Sequence, residues 1–343
     1  MNHSIIVLGF VIVLALSVGS AGAVDCECGN ICVNETGWWH DGGTFNLSGT
    51  PIQAAVDNAS ENDVICVKDG TYSDNVDVNV DHLTIRSENG SGSTMVQAAS
   101  SSDHVFDITA DYVNISGFTV TGATSNSKSK AGIFIHGTKG NPALNISIKN
   151  CISIENDAGI YLKRAGVKYC VIENNTCSEN EYGLRIRNAK ENNVRYNSFI
   201  TNEYGIHLSN ADSNNISCNY IFNNSYGIYL KAGSTDNTIE CNNIIANGEY
   251  NQTSGGYEWQ FYNDQEEDIS ATNNWWDTTD DNETNASIYD WQDNPEKGNV
   301  TYLPKLGGPS SCAEIPEPVT LVMVALGLLS VIGLLYRSGA SGR

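Results

Sequence analysis

The chain has 343 residues, a formal net charge of −22 and a pI near 4.4. So acidic a chain repels phosphate backbones, which argues against nucleic acid as a partner. Hydrophobic residues make up 40% of it, enough for a buried core, and ten cysteines in an exported chain point to disulfides rather than thiols.

At the N-terminus, Ile5 to Val18 is an apolar run, followed by Ala21-Gly22-Ala23. This pattern reads as a secretory signal peptide over residues 1–23. No basic residue precedes the run, so an uncleaved N-terminal anchor is the alternative. Residues 24–49 carry Cys26, Cys28 and Cys32 as C-x-C-x3-C. Pairing with each other or with Cys66 is expected, with a metal knuckle as the alternative. Thr50-Pro51 reads as a helix N-cap followed by proline at the first helical position. Ile52, Ala55, Val56 and Ala59 add an apolar stripe, so residues 50–59 are expected to form a short helix lidding a core. "NDVICVKDGTY" follows as a first strand and turn.

The middle of the chain repeats. Gly159-Ile160-Tyr161-Leu162 recurs as Gly183-Leu184-Arg185-Ile186, Gly205-Ile206-His207-Leu208 and Gly227-Ile228-Tyr229-Leu230, in steps of 24, 22 and 22 residues. Gly132-Ile133-Phe134-Ile135 stands 27 residues earlier. Three further series keep step: Ile148, Ile172, Val194, Ile216, Ile239; Asn156, Asn180, Asn202, Asn224, Asn247; and Asn175, Asn197, Asn219, Asn242, headed by Cys151. A fixed period of this length means stacked units. β-Branched residues alternating with polar ones mean strands, and no unit carries a helical segment. The expected fold is all-β, a single-stranded right-handed parallel β-helix running continuously from about residue 60 to 275. Ile160, Leu162, Leu184, Ile186, Ile206, Leu208, Ile228 and Leu230 should point inward. Turn asparagines should bond between coils. Cys218 and Cys241 occupy equivalent positions one coil apart and are expected to face each other.

Beyond the repeats, Trp275 and Trp276 are expected to cover the last coil within a cap over residues 272–305. Residues 306–318 read as a linker. Residues 319–336 are apolar and uncharged, just long enough to span a bilayer, and the 337–343 tail, opening with Arg337, should stay cytoplasmic. Thirteen N-x-S/T sequons add to the case for export, and for a glycoprotein.

Over residues 50–305, "TPIQAAVDNASENDVICVKDGTY", the Gly-Ile-x-Leu coils and "NNWWDTT…ASIYDWQDNPEKGNVTYLP" resemble secreted right-handed β-helix proteins of the NosD-like, pectate-lyase-like group. The tail, with Pro316-Glu317-Pro318, an apolar span and a thin basic end of Arg337 and Arg343, resembles a PEP-CTERM sorting signal. That resemblance implies removal of the tail by a membrane protease and display at the cell surface, with plain membrane anchoring as the alternative.

Some relatives in that group are lyases using calcium held by outward carboxylates on adjacent coils. Here the outward column two residues after each glycine reads Phe134, Tyr161, Arg185, His207, Tyr229, without a carboxylate. Structural calcium has no supporting motif, and the copper that the NosD name suggests would want clusters of Met, His or Cys. No cofactor is expected. A second outward column reads His136, Lys163, Arg187, Ser209, Lys231. Residues 128–195 carry a net charge of +5, leaving −27 elsewhere. Tyr161, Lys163, Arg185, Arg187, His207, Tyr229 and Lys231 are therefore expected to form a strip binding an acidic carbohydrate or surface-layer glycan. Two competing readings stand beside it. Outward strand positions can simply be polar and β-prone. In a uronate lyase or epimerase, His207 or Arg185 would act as base and Tyr161 or Tyr229 as acid.

Overall fold

A computed structural model of the protein describes residues 26–125, 129–137 and 140–313. The signal peptide, the Pro316-Glu317-Pro318 motif, the apolar 319–336 segment and the tail lie outside the described residues. Among those described, no helix is long and apolar enough to cross a membrane.

The chain winds as a right-handed-type β-solenoid of about nine turns. Successive turns contribute short strands to three sheets of eleven, eight and nine strands. The register follows the repeats. Ile160, Leu184, Ile206 and Ile228 pair in line in the third sheet, and Ile148, Ile172, Val194, Ile216 and Ile239 in the first. All eight residues expected inside are at 0% exposure. The alternation therefore does separate core from surface, as the two-residue period of a strand requires.

The corners are made by residues that are mostly not glycine. Asn174, Tyr196, Cys218, Cys241 and Asn273 all sit in the left-handed region, with φ between 56° and 59°. Such a conformation costs a non-glycine residue about 1–3 kcal/mol. Each is followed by a buried asparagine that offsets the cost. The Asn197 amide N–H donates to Asn219 Oδ1 at 3.0 Å, and Asn197 Nδ2 donates to the same oxygen at 3.0 Å and to the Ile172 carbonyl at 2.8 Å. This unit repeats from Cys151 through Asn175, Asn197, Asn219 and Asn242 to Asn274. A second ladder runs from Asn156 through Asn180, Asn202, Asn224 and Asn247 to Gln260. A third, not recognised in the sequence, links Cys170, Asn192, Asn214 and Asn237. The repeat glycines follow from this stacking. A Cβ on Gly205 would lie 2.6 Å from the Gly227 carbonyl oxygen and 2.9 Å from Asn224 Nδ2.

Both ends differ from expectation. The solenoid starts earlier than residue 60: Ile31–Asn34 stacks in parallel on Val64–Val67, and Gly37–His40 folds back on it. Disulfides Cys26–Cys32 and Cys28–Cys66 fasten this end, two of the expected pairings. The lid helix is Pro51–Val56, shorter than 50–59, and Thr50 makes no side-chain cap. Instead the coil beneath supplies the cap. Asp74 Oδ2 accepts from the Ile52 and Gln53 amides at 3.0 and 3.2 Å. Burial pushes the Asp74 carboxyl up to about 6, against the pull of those amides.

Cys218 and Cys241 do occupy matching corners one coil apart, but they do not pair. Cys218 is bonded to Cys312, and Cys241 is free. The reason is the path of the chain after the last coil. It returns along this edge, where the Ser310 and Ala313 carbonyls accept from Asn243 Nδ2 at 3.2 and 2.7 Å. Trp276, 1% exposed, closes the core against Phe261, whereas Trp275 is half-buried and bridges to Asn243.

Asn202→Ala deletes bonds to Asn180, Asn224 and the Cys177 carbonyl, and leaves the Asn180 amide buried without its acceptor. Urea denaturation is expected to show a loss of about 2–5 kcal/mol. A loss below about 1 kcal/mol would contradict the role given to the ladder.

Candidate functional site

The outer face of the third sheet carries three parallel columns of side chains. The central one runs Asp77, Asp107, Phe134, Tyr161, Arg185, His207, Tyr229, Tyr262, Tyr289. On one side stand Lys163, Arg187, Ser209, Lys231 and Asp264. On the other stand Ala131, Ala158, Tyr182, Tyr204 and Tyr226. The register thus brings the expected strip together.

The strip is not uniformly open, however. Tyr161 and His207 are only 1% and 2% exposed, although they project away from the core. The cause is a second, external aromatic layer. Tyr182, Tyr204 and Tyr226 repeat at 5.1 Å with planes within 12° of parallel. His207, Tyr229 and Tyr262 repeat at 5.3 and 5.1 Å, also near parallel, and the two series meet close to perpendicular. Ring edges against ring faces are a favourable arrangement, worth about 0.5–1.5 kcal/mol per pair. The layer covers its own inner members, and the cations sit on top. The Arg185 guanidinium lies 4.9 Å from the Tyr161 ring centre and 4.5 Å from that of Tyr182. Lys163 Nζ lies 5.8 Å from Tyr161, and Lys231 Nζ 5.7 Å from Tyr229.

The tyrosines of the outer column were missed in the sequence, although each immediately precedes a repeat glycine, as in Tyr182-Gly183, Tyr204-Gly205 and Tyr226-Gly227. Also corrected is the absence of carboxylates. Asp107 and Asp77 continue the central column above Phe134, before the glycine series begins. Asp107 Oδ1 meets His136 Nε2 at 2.8 Å.

The basic cluster of residues 128–195 is divided by the fold. On the first sheet Glu173 pairs with Lys149 and Arg195, and just before its strands Glu191 pairs with Lys168. On the third sheet, among the described residues, neither Lys163 nor Arg187 has a carboxylate partner. Burial, then the charges of Arg187, Arg164 and Arg185, hold the Lys163 ammonium below its usual range.

The proton-transfer roles fit this geometry poorly. Burial, helped by Lys231 and Arg185, lowers His207 to about 3, so it is a neutral and weakly basic ring. Its Nδ1 is buried without a hydrogen-bond partner among the described residues. Burial raises the Tyr229 hydroxyl, and its hydrogen bond to Asp264 Oδ2 at 2.7 Å raises it further. His136 directs Nε2 to Asp107, and its Nδ1 is buried.

A family model described as "Periplasmic copper-binding protein (NosD)" matches residues 56–287. Among solved structures, a mutant of the periplasmic alginate epimerase AlgG is 15% identical, with 71% of this chain and 59% of that chain covered and a TM-score of 0.45. The catalytic unit of a thermostable alpha-1,3-glucanase from Streptomyces thermodiastaticus is 15% identical, with coverages of 65% and 50% and a TM-score of 0.45. An alginate lyase from Paenibacillus is 14% identical, with coverages of 80% and 98% and a TM-score of 0.40. The chain thus spans only 59% and 50% of the first two. No curated protein matches. The donors do not fit copper. Among the described residues no three His, Cys, Asp or Glu side chains converge, and the three methionines are scattered at positions 1, 95 and 323.

An imidazole neutral when folded and basic near 6.5 when unfolded disfavours the fold as pH drops. His207 should therefore subtract stability progressively between about pH 6.5 and 3, with none lost above that window. In NMR, its ring signals should stay in the neutral form from pH 8 to 5. A midpoint within that range would contradict its burial beneath the tyrosines.

Proposed function

The chain belongs to the family described as the periplasmic copper-binding protein (NosD), and on that premise we propose that it is an exported β-solenoid whose third-sheet outer face binds an acidic glycan. The observation that carries this reading is a row of cations laid over an aromatic bed, of which Lys163 and Arg187 have no carboxylate partner among the described residues. Lys163, Arg185, Arg187 and Lys231 would pair with uronate or sulfate groups. The exposed edges of Tyr182, Tyr204, Tyr226 and Tyr229 would take the apolar faces of sugar rings. Tyr161 and His207 act from below, as the layer on which the cations rest.

Electrostatics supports the same reading. Burial and, after it, the neighbouring like charges depress the Lys163 ammonium, and an arriving anion would relieve the repulsive part. Lys163 and Lys231 lie three coil spacings apart, roughly 14 Å at ~4.8 Å each, so the face matches an extended chain rather than a single sugar. Acidic residues bound it at both ends, with Asp77 and Asp107 above and Asp264 below. A uronate lyase or epimerase on this face is the second reading. It gains less support, because the two side chains expected as base are a buried neutral ring, His207, and a guanidinium stacked on Tyr161 and Tyr182, Arg185.

Export agrees with the family's periplasmic description. We assign residues 1–23 as the signal peptide, 24–49 as the cysteine-containing entry segment, 50–305 as the functional body and 306–318 as a linker ending in the sorting motif. Residues 319–336 would hold the chain at the membrane or pass it to the cell surface.

Titration of the purified chain with polygalacturonate and with dextran sulfate tests the reading. Binding should weaken steeply as salt rises to about 0.5 M, where the screening length is only a few ångströms. Lys163→Ser combined with Arg187→Ser should weaken it by about tenfold, since each charge-assisted contact contributes about 0.5–1 kcal/mol at a half-exposed site. Undiminished binding by that double variant would refute the assignment of the face.

A further inference from the structure

One segment interrupts the solenoid without being needed for its stacking. From the ladder asparagine to the paired third-sheet residue takes four residues in Asn202 to Ile206 and in Asn224 to Ile228. From Asn247 to Phe261, which pairs with Ile228, it takes fourteen. The additional chain forms an antiparallel hairpin of Glu249–Asn251 and Gly256–Glu258. Insertions of this kind on a repeat scaffold are where ligand contacts are commonly built.

The hairpin has two unlike sides. Glu249 and Glu258 border an open cleft with Tyr226 and Trp259. Tyr250 and Tyr257 instead wall a separate cavity of about 160 Å³, completed by Gln260, Trp276, Asp277 and Glu283. A single water needs only about 10–15 Å³ of such space, so this cavity has room for a small molecule. Its chemistry is specific in two respects. Three aromatic rings and two carboxylates surround it, which is the composition that holds an ammonium group. In addition, Trp276 is 1% exposed, and its Nε1–H is a buried donor with no acceptor among the described residues. A buried donor left unsatisfied costs about 1–3 kcal/mol, so an acceptor supplied from outside would be favoured there.

We propose that this cavity binds one amino-sugar residue, its ammonium held by Glu283 and Asp277 among the rings and a hydroxyl oxygen accepting from Trp276 Nε1. The site is distinct from the cationic face of the third sheet and does not depend on the reading of that face. It would select a cationic sugar where the face selects an anionic one. Tyr250, about half exposed, stands at the rim. Glu283 is positioned by Thr278, whose Oγ1 donates to its Oε2.

Calorimetric titration of the purified full chain with D-glucosamine tests the proposal, with D-glucose, N-acetyl-D-glucosamine and Nα-acetyl-lysine amide as comparisons. Saturable binding of glucosamine is expected, with glucose and N-acetylglucosamine at least about tenfold weaker because neither brings an ammonium. Glu283→Gln and the rim variant Tyr250→Ala should each weaken glucosamine binding by about fivefold or more, and Trp276→Phe by about threefold or more. Tyr250→Ala lies outside the core, so its unfolding midpoint should match the parent and exclude a folding defect. No saturable binding at millimolar glucosamine would overturn the proposal. So would equal binding of N-acetylglucosamine, or full binding by both Glu283→Gln and Tyr250→Ala. Equal or tighter binding of the lysine derivative would replace a sugar with a peptide side chain and likewise refute it.

Discussion

A carboxamide that hands one hydrogen bond to the next coil is the interaction on which this molecule depends. A buried asparagine offers an oxygen that accepts two bonds and a nitrogen that donates two. In the ladder all four are used. Asn219 Oδ1 takes the amide and side-chain N–H of Asn197, while its own Nδ2 donates to the Val194 carbonyl and to Asn242 Oδ1. Each coil thus completes its neighbour's bonding. No coil is satisfied alone, which is the physical meaning of a repeat that must stack. The same constraint fixes the left-handed corners and explains the tolerance for Tyr196 and Cys218 there, where glycine would be the easier occupant.

Regular stacking has a consequence on the outside. Once each coil lies directly over the last, every outward position becomes a column, and like residues meet at the coil spacing. For tyrosines this produces a continuous ring layer. For cations it produces repulsion, which adds to burial in holding the Lys163 ammonium below its usual range. Placing Lys163 and Arg187 beside one another in such a column costs stability. Neither of these two has a carboxylate partner among the described residues. The first sheet shows the other solution, where Glu173 stands between Lys149 and Arg195.

Much of this was legible in the sequence because a short period constrains geometry directly. The spacing of Gly159, Gly183, Gly205 and Gly227 gives the coil, and alternation about them gives inside and outside. What could not be read was whatever depends on layers beyond the strand. Tyr161 and His207 point outward as expected, yet neighbouring columns cover them, and no pattern along one strand reports that. The cap on the lid helix comes from Asp74, which lies 22 residues beyond Ile52 and contacts it only because the first coil brings it there. Cys218 looked suited to Cys241 by periodicity, but Cys312 arrives from an aperiodic return of the chain. Asp77 and Asp107 lay in the central column unseen, since their coils lack the glycine that marks the others.

Hydrogen–deuterium exchange with and without a saturating acidic oligosaccharide tests the central claim most directly, because it maps contact onto sheets rather than onto single variants. Oligogalacturonate should slow exchange in the third-sheet strands Ala158–Lys163, Tyr182–Arg187, Tyr204–Ser209 and Tyr226–Lys231. The first-sheet strands Val171–Glu173 and Asn193–Arg195, on the same coils, should be unaffected. Protection confined to the first or second sheet, or none at saturation, would contradict the account.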